Sequence, residues 1–253
     1  MNLIAEAFAW MLSPERWSGP AGIPVALAQH LGFTFVSVLI AAAIAVPVGW
    51  AIGHKGRGRE IAVAVSGAAR AVPSFGLLIL LVLLLGVLQT PTAAVITFVL
   101  LGIPSILAGA YTGFEAIDRR VIDAGRAMGM TEWQILWRIE VPLGLPLLVS
   151  GLRAATLQIV ATVTIAAYVG LGGLGQYIIQ GIPLRRFDQV LAGAILVAVL
   201  ALVLDAVFAI LERVVVPRGV VAGRAGGSGP RTRRRRARDE AAASPRSSAP
   251  APA

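Results

Sequence analysis

Residues 122–142 read "IDAGRAMGMTEWQILWRIEVP", a polar stretch of helical spacing, split by a glycine and set between long apolar runs. Upstream of the split, Val121, Ala124, Gly125 and Met128 recur at helical intervals, with arginines on the other faces. Gly129 stands where a helix would end in a left-handed cap, a conformation cheap only for glycine. Thr131, with Gln134 three positions on, has the spacing of a capping box, so a second helix starts there. Trp133, Leu136 and Trp137 share one face of that helix, and Pro142 either ends it or begins the next element. The stretch therefore predicts a rigid, bent pair of helices with apolar and aromatic residues exposed. It packs onto the chain's own helix ends or docks into a groove of another protein; local physics leaves both open.

The surroundings of this corner are apolar. Of 253 residues, 57% are hydrophobic and 14% charged, against roughly 45–50% and 25% for soluble domains. The apolar residues gather in runs long enough to cross a bilayer, which takes about 20 residues per helix. Five spans are expected, at 32–53, 62–88, 92–112, 145–169 and 188–213. The second holds Arg70 and Pro73 and is long enough to bend at the proline or to lie partly at the interface. The first 30 residues, with Glu6 interrupting a short apolar run and no basic leader, read as an extracytoplasmic or interfacial segment. Residues 31–216 form the membrane domain. Residues 217–253 are a basic tail with too few large apolar side chains to fold.

Of the formal charge of +9, +7 belongs to that tail, where nine arginines stand against Asp239 and Glu240. Its "RTRRRRAR" suits anionic lipid; it lacks the interleaved aromatics that stacking on bases requires, so no specific nucleic acid is expected. Elsewhere the basic residues segregate. Lys55, Arg57, Arg59, Arg119, Arg120, Arg126, Arg138, Arg213 and the tail fall on one side, and Arg16, Arg185 and Arg186 on the other. By the positive-inside rule the N-terminus is outside, and the C-terminus and residues 122–142 are cytoplasmic. Arg70 and Arg153, inside span ends, are expected to snorkel to the headgroups. With no cysteine and with His30 and His54 at opposite ends of one span, neither a metal site nor a thiol nucleophile is expected.

The corner resembles the cytoplasmic loop of permease subunits of the ABC importer superfamily, which carries E-A-A, three residues, G, nine residues and I-x-L-P. Here Asp123-Ala124-Gly125 is followed by three residues, Gly129, nine residues and Ile139-Glu140-Val141-Pro142. Three positions depart: Asp for Glu, Gly125 for the second Ala, and Val141 for Leu. Gly125 costs about 1 kcal/mol of helix propensity against Ala. The resemblance implies an all-α type I importer permease of about five transmembrane helices. Its coupling loop (Asp123, Ala124, Gly125, Gly129, Trp133, Ile139 and Pro142) meets an ATP-binding subunit. It further implies a bacterial cell-membrane complex of two permease chains, two ATP-binding subunits that hold ATP and Mg, and an external solute-binding protein. The chain itself would hold no cofactor and catalyse nothing.

"GAYTGF" (109–114) and "GLGGLG" (170–175) resemble the branch that imports osmoprotectants such as glycine betaine, carnitine and choline; methionine permeases share the glycine motif. Gly170, Gly172, Gly173 and Gly175 read as a close-packed turn at a span end, with gating as the alternative role. Ser37, Thr156, Gln158, Thr162 and Thr164 are candidate pore-lining residues; the competing reading is hydrogen bonding between helices. Asp205 should face the bundle or a wet cavity. Phe33, Phe35, Phe75, Tyr111 and Tyr168 are too scattered to make a cation cage. An intramembrane protease would need a metal-ligand motif or a base beside a mid-span serine, and a channel gives no reason for a capped cytoplasmic corner.

Overall fold

The computed structural model describes residues 2–215; the tail read from residue 217 onward lies outside them. Ten α-helices make up the described chain: α1 (Leu3–Leu12), α2 (Ile23–Lys55), α3 (Arg59–Ala71), α4 (Ser74–Leu85), α5 (Thr90–Glu115), α6 (Arg119–Ala127), α7 (Glu132–Ile135), α8 (Val141–Ala166), α9 (Gly175–Gly181) and α10 (Phe187–Val215). At 33 residues, α2 is about 50 Å long, well beyond a hydrocarbon core of roughly 30 Å. It begins at Ile23, eight residues before the boundary read at 31.

Four helical stretches are long and apolar enough to span: Ile23–Lys55, Val87–Glu115, Glu132–Val169 and Phe187–Val215. The expected second span is instead a bent pair, α3 and α4, meeting at 82°. Its cause is local. Proline disfavours helical geometry in the residue before it, and Val72 and Pro73 are both extended, at ψ 125° and 118°. Alone, α4 has 12 residues, about 18 Å, so a fifth span exists only if the pair acts together.

The bundle is held by small residues where helix backbones meet. A Cβ on Gly109 of α5 would lie 2.6 Å from the Leu147 carbonyl oxygen, and one on Gly151 of α8 2.7 Å from that of Ser105. One turn along, Gly113 meets Gly144 in the same way. In lipid, helices associate through such close packing. α1 is fastened by Ala7, Trp10 and Met11, spaced for one face, which pack in a common core with Tyr177 of α9 and Ala192 and Leu200 of α10.

Candidate functional site

The corner at one end of the bundle forms as its residues dictate. Asp118 caps α6 by accepting from the Arg120 amide at 2.9 Å. At the far end of α6, Met130 N–H reaches the Gly125 carbonyl (3.1 Å) and Gly129 N–H the Arg126 carbonyl (2.9 Å). That pair of bonds closes a Schellman motif, with Gly129 at φ +80°. The Thr131 hydroxyl then accepts from the Gln134 amide at 3.3 Å, and the Gln134 side chain accepts from the Thr131 amide at 2.9 Å, a complete capping box.

α7 does not end at Pro142. Leu136–Glu140 is a π-helical turn, in which the Val141 amide reaches back five residues to Leu136. Pro142 follows directly, and its missing N–H interrupts the helical hydrogen-bond ladder next to the π turn and not in regular helix. Residues Glu132–Val169 thus form one helical element, joined through the π turn, and the only sharp break in the corner is at Gly129.

Of the residues singled out in the loop, Asp123, Ala124 and Gly129 are exposed, and Trp133 is 68% exposed. Gly125 is buried: a Cβ there would stand 3.0 Å from Ile139 Cδ1, with Met130 and Ile135 next. The glycine that weakens α6 as a helix therefore lets α6 close onto the helix after the corner. Val121 and Met128 of the expected stripe point away from that contact and are exposed. Arg126 bridges the corner with a two-pronged contact to Glu132 (2.8 and 3.2 Å), which raises its pKa above the usual value. Trp133, Leu136 and Trp137 face an apolar groove shared with Pro47 and Trp50 of α2. Arg59, Arg119 and Arg126 line one cleft of about 470 Å³ beside it, so three of the arginines assigned to one side do cluster.

The second candidate region lies at the other end of α8. Gly170, Gly172 and Gly173 have φ between +75° and +82°. A Cβ on Gly175 would run into the Thr164 carbonyl oxygen, so no side chain fits there. Gln29 Oε1 accepts from the Gly173 amide (3.1 Å) and His30 Nδ1 from the Leu174 amide (3.3 Å). His30 Nε2–H then donates to the Val160 carbonyl at 3.1 Å, which sets its tautomer. Sequence reasoning assigns this role to neither Gln29 nor His30. The available signal is a polar Gln-His pair in the apolar first turns of α2.

The polar residues within the spans correct one expectation. Thr156, Thr162 and Thr164 donate to the carbonyls four residues back in their own helix, at 2.8, 2.9 and 3.1 Å, rather than across helices. Ser37, Thr156 and Thr162 are buried in the helix packing, and the Ser37 hydroxyl has no partner among the described residues; Gln158 is partly buried. Arg153 pairs with Asp205 of α10, so Asp205 faces a neighbouring helix of the bundle. Two of the scattered aromatics do meet, Phe75 and Tyr168, edge to face at 5.3 Å.

The comparisons agree with this geometry. The family described as "Binding-protein-dependent transport system inner membrane component" matches residues 43–217. The glycine betaine/carnitine/choline transport system permease protein OpuCB of Bacillus subtilis (strain 168) is 31% identical over 192 residues, 76% of this chain and 88% of that one. The carnitine transport permease protein OpuCB of Listeria monocytogenes is 33% identical over 199 residues, 79% and 90% of the two chains. An inward-facing form of the MetNI methionine ABC transporter matches at a TM-score of 0.67 and 22% identity, covering 77% of this chain and 96% of that one. By sequence and by the course of its helices, this chain belongs to the family of binding-protein-dependent transport system inner membrane components and has the type I ABC importer permease fold.

Proposed function

We propose that this chain forms the solute path of an ATP-driven importer for small quaternary-ammonium osmoprotectants such as glycine betaine, carnitine or choline. A member of this family is a multi-pass inner-membrane protein that works with ATP-binding and solute-binding partners. The substrate class rests on the relatives named above, which are permeases for these solutes. The likeness to the methionine transporter is one of fold, at 22% identity, and carries no substrate.

The observation that carries the mechanism is the corner at Gly129. Trp133 is presented outward, yet its helix runs without a break of chain direction into α8. A subunit that grips residues 123–139 can therefore displace a membrane helix. In this reading two ATP-binding subunits dock on Asp123, Ala124, Trp133 and their neighbours. Gly125, Ile139 and Pro142 fix the shape that is docked. ATP and Mg are held and hydrolysed in those subunits, and a second permease chain completes the path. Differential binding of nucleotide to two arrangements of the complex biases alternating access. The corner is cytoplasmic and the N-terminus outside, as the segregated basic residues support. Residues 1–30 form the outer segment and 31–216 the membrane domain.

The test is reconstitution of the chain with its cognate ATP-binding and solute-binding subunits in proteoliposomes. Radiolabelled glycine betaine, carnitine and choline should each be offered. ATP-dependent accumulation of at least one, with ATPase stimulated by the loaded binding protein, is expected. Accumulation of methionine alone would overturn the substrate class.

A further inference from the structure

Both histidines of the chain lie on α2, 24 residues and about 36 Å apart along the helix. At one end His30, fully buried, joins Val160 of α8 and, with Gln29 beside it, the amides of Gly173 and Leu174. At the other end His54 Nδ1 lies 2.5 Å from Oε2 of Glu140, while Nε2 faces Glu132 at 3.7 Å. Glu140 is 3% exposed and belongs to the π turn between α7 and α8. One turn back from His54, Trp50 packs edge to face on Trp137, with ring centroids 5.8 Å apart.

The helix from Glu132 to Val169 is therefore gripped by α2 at both ends. The grip near the corner falls on its least regular segment. A π turn is a place where a helix can kink, and a load applied at Trp133 would be spent there unless Glu140 were held from outside. His54 holds it through a hydrogen bond to a carboxylate, among the stronger and more directional contacts available.

We propose that His54 and His30 are positioning residues that clamp α2 and the Glu132–Val169 helix into one lever, so that displacement of the corner reaches the glycine loop at residues 170–175. This rests on the permease reading above. It adds a route between two regions about 36 Å apart along α2 and names the side chains that keep it from slipping. Contact alone does not establish coupling between sites, so the test must read movement at one end when the other end is altered.

The chain has no cysteine, which permits a single reporter, Leu171→Cys, buried at 8% within the glycine loop. In the assembled importer, the rate of maleimide labelling is compared between the nucleotide-free and vanadate-trapped states. Four companions are made in the reporter background: His54→Asn, His54→Leu, His30→Ala, and His54→Leu with His30→Ala. The Asn amide nitrogen stands where the imidazole Nδ1 stood and keeps a donor within reach of Glu140; Leu offers none. With His54 intact, and equally in the His54→Asn variant, the labelling rate should change with nucleotide. With His54→Leu the ratio of the two rates should fall to one while ATP hydrolysis continues. His30→Ala should abolish the response as well, and the double variant should lose nothing further. A response that survives in His54→Leu overturns the lever, as does its loss in both the Asn and Leu variants at normal abundance. A reporter that ignores nucleotide even with both histidines present counts against the permease reading itself, and the lever falls with it.

Discussion

The Arg153 guanidinium meets both carboxylate oxygens of Asp205 at 2.6 Å, joining α8 to α10 within the spans. Glu212, two turns further along α10, approaches the same arginine at 3.8 Å. α10 is otherwise the least buried of the spanning helices, so this pair is one of the few specific contacts that fix its position. A lone charge at this depth is costly and a pair much less so. Asp205→Ala or Arg153→Leu alone should lower the abundance of inserted protein several-fold. Arg153→Leu with Asp205→Leu should recover most of it. Quantitative immunoblotting of membranes decides the matter: a double variant no better than the singles would show that the pair does more than cancel charge.

Gly129 should tolerate asparagine but not valine. A Cβ at this position meets nothing within 4 Å among the described residues, so space is not the constraint; φ of +80° is. A non-glycine residue in the left-handed region pays about 1–2 kcal/mol, and asparagine the least. Gly129→Val should insert at near-normal abundance while uptake of labelled osmoprotectant and the ATPase response to loaded binding protein both fall sharply. Gly129→Asn should keep much of each. Normal transport by Gly129→Val would remove the corner from the coupling mechanism.

Sidedness is open to direct labelling. Gly56 ends α2 at φ +64°, so the neighbouring exposed Arg57 is the better place for a cysteine. Arg57→Cys should be shielded from an impermeant thiol reagent in intact cells, whereas exposed Gln180→Cys should react. The opposite pattern would put the corner outside the cell, away from ATP.

The glycine loop should be intolerant at one position above all. Gly175→Ala drives a methyl into the Thr164 carbonyl oxygen, a backbone atom that cannot step aside. Core overpacking commonly costs about 1–3 kcal/mol, and backbone contact belongs at the upper end. Gly67→Ala on α3 meets nothing within 4 Å among the described residues and gains helix propensity. Thermal melting in detergent should show a lower midpoint for Gly175→Ala and an unchanged or higher one for Gly67→Ala.

The corner is legible in the sequence because its determinants are local: a cap glycine, a threonine and a glutamine three residues on, all within a few positions of one another. The bend at Pro73 is legible for the same reason. What the sequence conceals lies between distant positions. His30 and Leu174 are 144 residues apart, and His54 and Glu140 are 86 apart. No periodicity in one chain announces such partners. Gly109 and Gly113 hint at a close helix contact by their spacing, but their partners Gly144 and Gly151 are spaced differently and give no matching hint. The threonines mislead because a hydroxyl in lipid needs an acceptor, and a helix always offers one four residues back.

The π turn at Leu136–Glu140 has one further consequence. Such a turn carries one residue more than an α-helical path of the same length needs, and it sits between the surface that a partner grips and the helix that crosses the bilayer. Because the turn absorbs its surplus residue by wider winding, removing that residue would restore ordinary winding and leave Trp133 facing nearly as it does now relative to α8. The same deletion in an α-helical turn would swing Trp133 by about 100° around the axis. The length of the chain can therefore change by one residue at this point without re-aiming the docking surface.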